Sequence, residues 1–141
     1  MREVSRFNTG GRFTHNSWPT QDGRYLFTTD EVPNRPVETW DLAELAQPRK
    51  VFEYIGRANT IPHNVMVDGD RLLISHYTEG VHLLDVADPL RPVVLGTYDT
   101  YSGNASGNFH GAWGAYIFPG TRLIIVSDIE GGLFVIEYTG P

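Results

Sequence analysis

The feature that most limits what this chain can fold into is a threefold internal repeat. Three segments line up when their histidines are superposed: FTHNSWPTQDGRYLFTTDE, IPHNVMVDGDRLLISHYTEG and NFHGAWGAYIFPGTRLIIVSDIEG. His15, His63 and His110 fall 48 and then 47 residues apart. Each is followed by a short run, a turn glycine (Gly23, Gly69 or Gly120), and an arginine opening RYLFTT, RLLISH or RLIIVS. A third run comes next, VETWDL, VHLLDV or LFVIEY, with Asp41, Asp85 and Glu137 in matching places. KVFEYIG and VVLGTYD add a fourth run to the first two units. Short runs rich in Val, Ile, Tyr and Phe, punctuated by Gly and Pro, read as strands. Four short strands in a unit of about 45 residues are the signature of a β-propeller blade.

The predicted fold class is therefore all-β: about three four-stranded antiparallel sheets, a partial β-propeller over residues 1–141 that is incomplete as a single chain. The blade units are 10–57, 58–101 and 102–141, with 1–9 as an orphan outer strand. The third unit stops after its third run, at IEYTGP, while REVSRF at the start resembles the missing fourth strand. Propellers close their rings by such an offset, but they need about four to eight blades. The expectation is that the chain is part of a longer propeller, or that several copies assemble and cover the exposed strand edges. DLAELAQPRK is compatible with one helical turn, ended by Pro48. The Gly-, Ser- and Asn-rich YDTYSGNASGNFHGAWG reads as a long loop entering the last unit, a common setting for binding surfaces.

Composition narrows the function classes. With 141 residues and 40% hydrophobic side chains, the chain has the size of one domain and can build a core. Its formal charge of −6 and its single lysine, Lys50, disfavour nucleic acid and anionic membranes as partners. The same charge suits a cation. The sequence has no cysteine, so thiolate chemistry and disulfides are excluded. No signal-peptide core and no apolar run of spanning length is present, so no membrane span is expected.

Antiparallel geometry brings the start of each first strand and the end of each second strand to one face. His15, His63 and His110 should therefore meet Asp30, Tyr77 and Asp128 near the channel mouth, joined by Asn16, Asn64 and Glu31. Converging imidazoles and carboxylates are donors for a divalent cation, calcium or zinc. The first reading of a histidine repeated once per blade is supportive, a hydrogen bond to a neighbouring strand. Metal ligation by His15, Asp30, Glu31, His63 and His110 is the sharper alternative. No HExxH, EF-hand, nucleophile-elbow or phosphate-loop pattern backs a specific chemistry. Asp30 and Glu31 are adjacent, so on a strand they point to opposite faces, which weakens a paired-carboxylate hydrolase. Trp18, Trp40 and Trp113 are read first as packing between blades; stacking on a carbohydrate ring is the alternative. Asp41, Asp85 and Glu137 read as turn caps or inter-blade hydrogen-bond acceptors.

These residues resemble a known family, the LVIVD-repeat β-propeller proteins of the choice-of-anchor B group. HNVMVDG, LLDVADP and GTYDTY are the most specific matches, and SDIEGGLFVIEY looks like that family's last blade. The resemblance implies a secreted or surface-displayed propeller larger than this chain, with no established enzymatic activity. The positions it carries over are His15, Asp30, Glu31, His63, Asn64 and Tyr77; His110 stands where the family pattern has an aspartate. Relative to that pattern the chain lacks upstream blades, an export signal and an anchor.

The expected function is a non-catalytic extracellular propeller module for binding or scaffolding, completed by oligomerisation or by further blades, with a carbohydrate or protein ligand. The alternative is a metal-dependent hydrolase whose histidines and carboxylates at the channel mouth hold the ion and activate water.

Overall fold

The computed structural model describes residues 1–140 and is built from strands alone; its described residues contain no helix. The first sheet runs β1 (Thr14–Pro19), β2 (Tyr25–Asp30), β3 (Val37–Asp41) and β4 (Arg49–Tyr54) in simple meander order. The second repeats it with β5 (Val65–Asp68), β6 (Arg71–Ser75), β7 (Val81–Asp85) and β8 (Val93–Tyr98). The third has only three strands, β9 (Ala112–Ile117), β10 (Leu123–Asp128) and β11 (Gly132–Glu137). All neighbouring pairs are antiparallel, as propeller blades require. The stretch read as one helical turn is a tight turn, closed by Gln47 N–H to Glu44 O at 2.8 Å.

Gly23, Gly69 and Gly120, at φ of 70°, 58° and 70°, turn the first hairpin of each blade in the left-handed region that side chains rarely adopt. Blades pack face to face, and the middle blade explains why its second strand is apolar at every interior position. Leu72, Ile74 and Leu84 join Phe27, Val37, Val65 and Val67 in the core against blade 1. Leu73, Val81, Leu83 and Met66 point the other way and meet Ala112, Ile117, Ile124 and Val126 of blade 3. Side chains alternate across a strand, so a blade covered on both faces loses the polar half of its pattern.

The two ends of the stack differ. Residues 1–9 pair with no strand of this chain, but the segment lies over blade 1, with Phe7 against the buried Trp40 at a centroid distance of 4.6 Å. Gly10 N–H reaches the Glu38 carboxylate at 3.2 Å. Among the described residues blade 3 has no such cover: Leu133 and Val135 of β11 are each 67% exposed, and no fourth strand lies beside them.

Hydroxyl groups at one place in β2 and β6 tie each blade to the next. Thr29 Oγ1 donates to the His63 carbonyl at 2.5 Å, and Ser75 Oγ donates to the Trp113 carbonyl at 2.7 Å. Ser127 occupies the same place in β10, opposite Gly114 as Ser75 is opposite Asn64, and among the described residues its side-chain hydrogen bonds stay within its own blade.

Candidate functional site

His15 lies in β1, where the register slips between Thr14 and Asn16, and at this bulge its ring lies beside Glu31 and His63. Glu31 follows β2 directly, and His63 leads into β5, with its backbone N–H bonded to Ser75 O at 2.9 Å. The chain thus brings two blades' imidazoles and one carboxylate together. His15 Nδ1 is 3.5 Å from Glu31 Oε2, and His63 Nε2 is 3.6 Å from Glu31 Oε1. One donor atom from each residue lies within 4.8 Å of the others. The two imidazole rings are 4.3 Å apart, tilted by 36°.

His63 is 2% exposed. Its Nδ1 is hydrogen-bonded to the Trp113 carbonyl, and because a carbonyl only accepts, Nδ1 carries the proton. Nε2 is then left with a lone pair, and it has no hydrogen-bond partner. Burial, reinforced by the neighbouring His15, pushes the His63 imidazole below its ordinary value, so the ring favours the neutral form. Tyr77 donates its phenol to Glu31, and burial together with that carboxylate pushes its pKa upward, so it stays a donor. Tyr77 holds this aim from a left-handed backbone, φ 39°, fixed by a two-bond bridge to Ala112 at 3.0 Å. Such a conformation costs on the order of 1–3 kcal/mol for a bulky residue and needs that bridge to persist.

The other sequence candidates go elsewhere. Asp30 is buried and accepts from Thr9 Oγ1 at 2.6 Å, Gly11 N–H at 2.7 Å and Phe13 N–H at 2.8 Å. It anchors the segment entering blade 1 and is not among the converging donors. His110 stands apart, paired with Glu130 and stacked on Tyr101 at 5.5 Å. Its structural place in the repeat is taken by Trp113, because the inter-blade hydroxyls select His63 O and then Trp113 O. Asn16 Oδ1 accepts from Val65 N–H at 3.0 Å, a staple between inner strands, and Asn64 bonds to Ser75 Oγ through its backbone at 3.1 Å. Asp128 caps the β10–β11 turn through Glu130 N–H and Gly131 N–H at 3.0 and 2.6 Å.

Trp113 is 54% exposed beside His63, with centroids 5.5 Å apart, whereas Trp40 is buried with its indole N–H on Thr28 Oγ1 at 3.0 Å. Trp18, 40% exposed, lines a separate depression with Gln21, Val67 and Asp68. Asp41 and Asp85 cap turns through Ala43 N–H and Ala87 N–H, each at 2.8 Å, as the sequence suggested.

A second His/Glu cluster, missed in the sequence, is wholly buried. His76 and His82 stack at 5.2 Å, and Glu79 Oε2 lies 3.2 Å from His76 Nδ1. Glu79 also accepts from Arg57 N–H at 2.9 Å and Thr60 Oγ1 at 3.0 Å, and Tyr54 OH meets His82 Nδ1 at 2.8 Å. Burial, then the charge of His82, pushes His76 down to about 4; burial lowers His82 as well. The visible signal was SHYTEGVH, two histidines and a glutamate around one hairpin turn.

Comparison of the chain with protein-family models and with curated proteins finds no match. The fold itself defines the class: an all-β protein of stacked antiparallel propeller blades, open at blade 3.

Proposed function

We propose that this is a non-catalytic β-propeller module for binding or scaffolding, its ring completed by further blades from other copies or from the rest of a longer propeller. The uncovered face and edge of blade 3 carry this reading. Ser127 repeats the place of Thr29 and Ser75, each of which bonds a carbonyl of the following blade, whereas its own hydrogen bonds among the described residues go to Gly114 within blade 3. Exposed Leu133 and Val135 offer the apolar surface that an adjoining blade buries. The sequence resemblance to the LVIVD-repeat propellers supports display outside the cell. The rim beside the two imidazoles, with Trp113 54% exposed and the His15 side chain partly exposed, supplies a ring face and a polar group for a carbohydrate or protein ligand.

Hydrolysis is less well supported by the same geometry. Asp30, the second carboxylate, is committed to Thr9, Gly11 and Phe13, which leaves Glu31 to serve as both ligand and base. Light scattering on the isolated chain tests the assembly: a particle larger than 15.8 kDa is expected, reduced by Leu133→Glu and Val135→Glu. A stable, monodisperse monomer with no partner would contradict it.

A further inference from the structure

The hydrogen bonds at the channel mouth leave one anomaly, which a cation resolves. Buried His63 Nε2 has no partner, and the nearest acceptor, Glu31 Oε1, is 3.6 Å away, beyond hydrogen-bond range. His15 Nδ1 is 3.5 Å from the other oxygen of the same carboxylate. Two donors bound tetrahedrally to zinc at its usual bond lengths lie about 3.4 Å from one another. Each imidazole nitrogen stands near that spacing from one of the two carboxylate oxygens, and one donor atom from each of the three residues lies within 4.8 Å of the others.

The surroundings fit as well. A metal-bound histidine characteristically donates its second ring N–H to a carbonyl, which fixes the tautomer and aims the lone pair. His63 does so through Nδ1 to Trp113 O. A ligating carboxylate is held in turn by an outer donor, and Tyr77 OH does this for Glu31. His15 has a side chain 30% exposed, so the site opens to solvent on one side.

We propose that His15, Glu31 and His63 form a three-ligand site for a zinc-class divalent cation, tying blade 1 to blade 2, with the remaining coordination position open to the channel mouth. Two imidazoles with one carboxylate suit zinc-class ions, whereas calcium takes six to eight oxygens. Asp30 and His110 are not ligands. Tyr77 is a positioning residue that acts through Glu31.

Zinc titration of the untagged, metal-stripped chain by calorimetry is the test. One zinc per chain is expected, weakened at least tenfold by His15→Ala and by Glu31→Gln, and unchanged by His110→Ala. His15 is partly exposed, so its variant keeps the fold, to be checked by circular dichroism. Saturating zinc should also raise the Tm of the parent chain by roughly 5–10 °C at a hundredfold excess over Kd, and leave the His15→Ala variant unmoved. Absence of stoichiometric binding, or equal affinity in the His15→Ala variant, would overturn the site. All three ligands belong to one chain, so a zinc-binding monomer would defeat the assembly reading and leave this one standing.

Discussion

Two clusters in this molecule contain the same groups, two imidazoles and one glutamate, and the surrounding chain gives them opposite characters. Around His76 and His82, Glu79 accepts from Arg57 N–H and Thr60 Oγ1 and pairs with the Arg57 guanidinium at 3.4 Å, and His82 is held by Tyr54; His76 Nδ1, 3.2 Å from Glu79 Oε2, has no hydrogen-bond partner, as His63 Nε2 has none. In the cluster of His15, Glu31 and His63, Glu31 takes a hydrogen bond from Tyr77, and the two imidazoles stand 3.5 and 3.6 Å from its oxygens without bonding to it. The first cluster pins the segment between β4 and β5 through Arg57 and Thr60. The second keeps donor capacity at a rim. Each cluster leaves one buried imidazole nitrogen unpartnered, so what separates them is how far the chain itself occupies the carboxylate and whether solvent reaches the group.

The largest effect that could break this contrast is the removal of Glu79. Glu79→Ala strands a buried backbone N–H and a hydroxyl and should cost about 3–5 kcal/mol by urea denaturation. Glu31→Gln in metal-free protein should cost less than about 1 kcal/mol. Similar losses would erase the distinction.

Acidification comes next. His76 is neutral in the folded chain down to about pH 4, while in the unfolded chain it takes a proton near 6.5. Between those values the unfolded state binds more protons, so stability is full above about pH 6.5 and falls as the pH drops toward 4. His82 and His63 are lowered too and act in the same direction. Denaturation midpoints across pH 4–7 should show a loss on the order of a few kcal/mol; a flat profile would contradict the buried, neutral pair.

A smaller loss is expected for Asp30→Ala, about 2–3 kcal/mol, because three donors of the entering segment lose their acceptor. Its zinc affinity should be kept, which sharpens the assignment of Asp30 to the fold and Glu31 to the site. Tyr77→Phe should weaken zinc binding about tenfold with little change in the unfolding midpoint, the signature of an outer-shell donor. His110→Ala should alter neither stability nor zinc binding measurably, since its pair with Glu130 is exposed.

Much of the fold was legible. Repeat spacing, turn glycines and apolar runs placed every strand from β1 to β11, and the antiparallel hairpin placed His15, Glu31 and Tyr77 at one rim. The third blade was misaligned by three residues, because matching histidine to histidine ignored the left-handed Gly111, φ 85°, and the slip between Ser127 and Asp128. Those local features set Trp113, not His110, at the place of His63. Which of Asp30 and Glu31 faces the rim was also hidden, since it depends on what the segment Thr9–Phe13 reaches. The buried cluster needs Tyr54 and Arg57 to meet His82 and Glu79 from the preceding blade unit, a long-range pairing that no local pattern shows.

Imidazole nitrogen resonances followed through a zinc titration test the contrast between the two clusters most directly, because the chain has five histidines. His15 and His63 should shift and saturate at one equivalent, while His76, His82 and His110 stay in place. Unmoved signals from His15 and His63, or a matching response from His76 and His82, would contradict it.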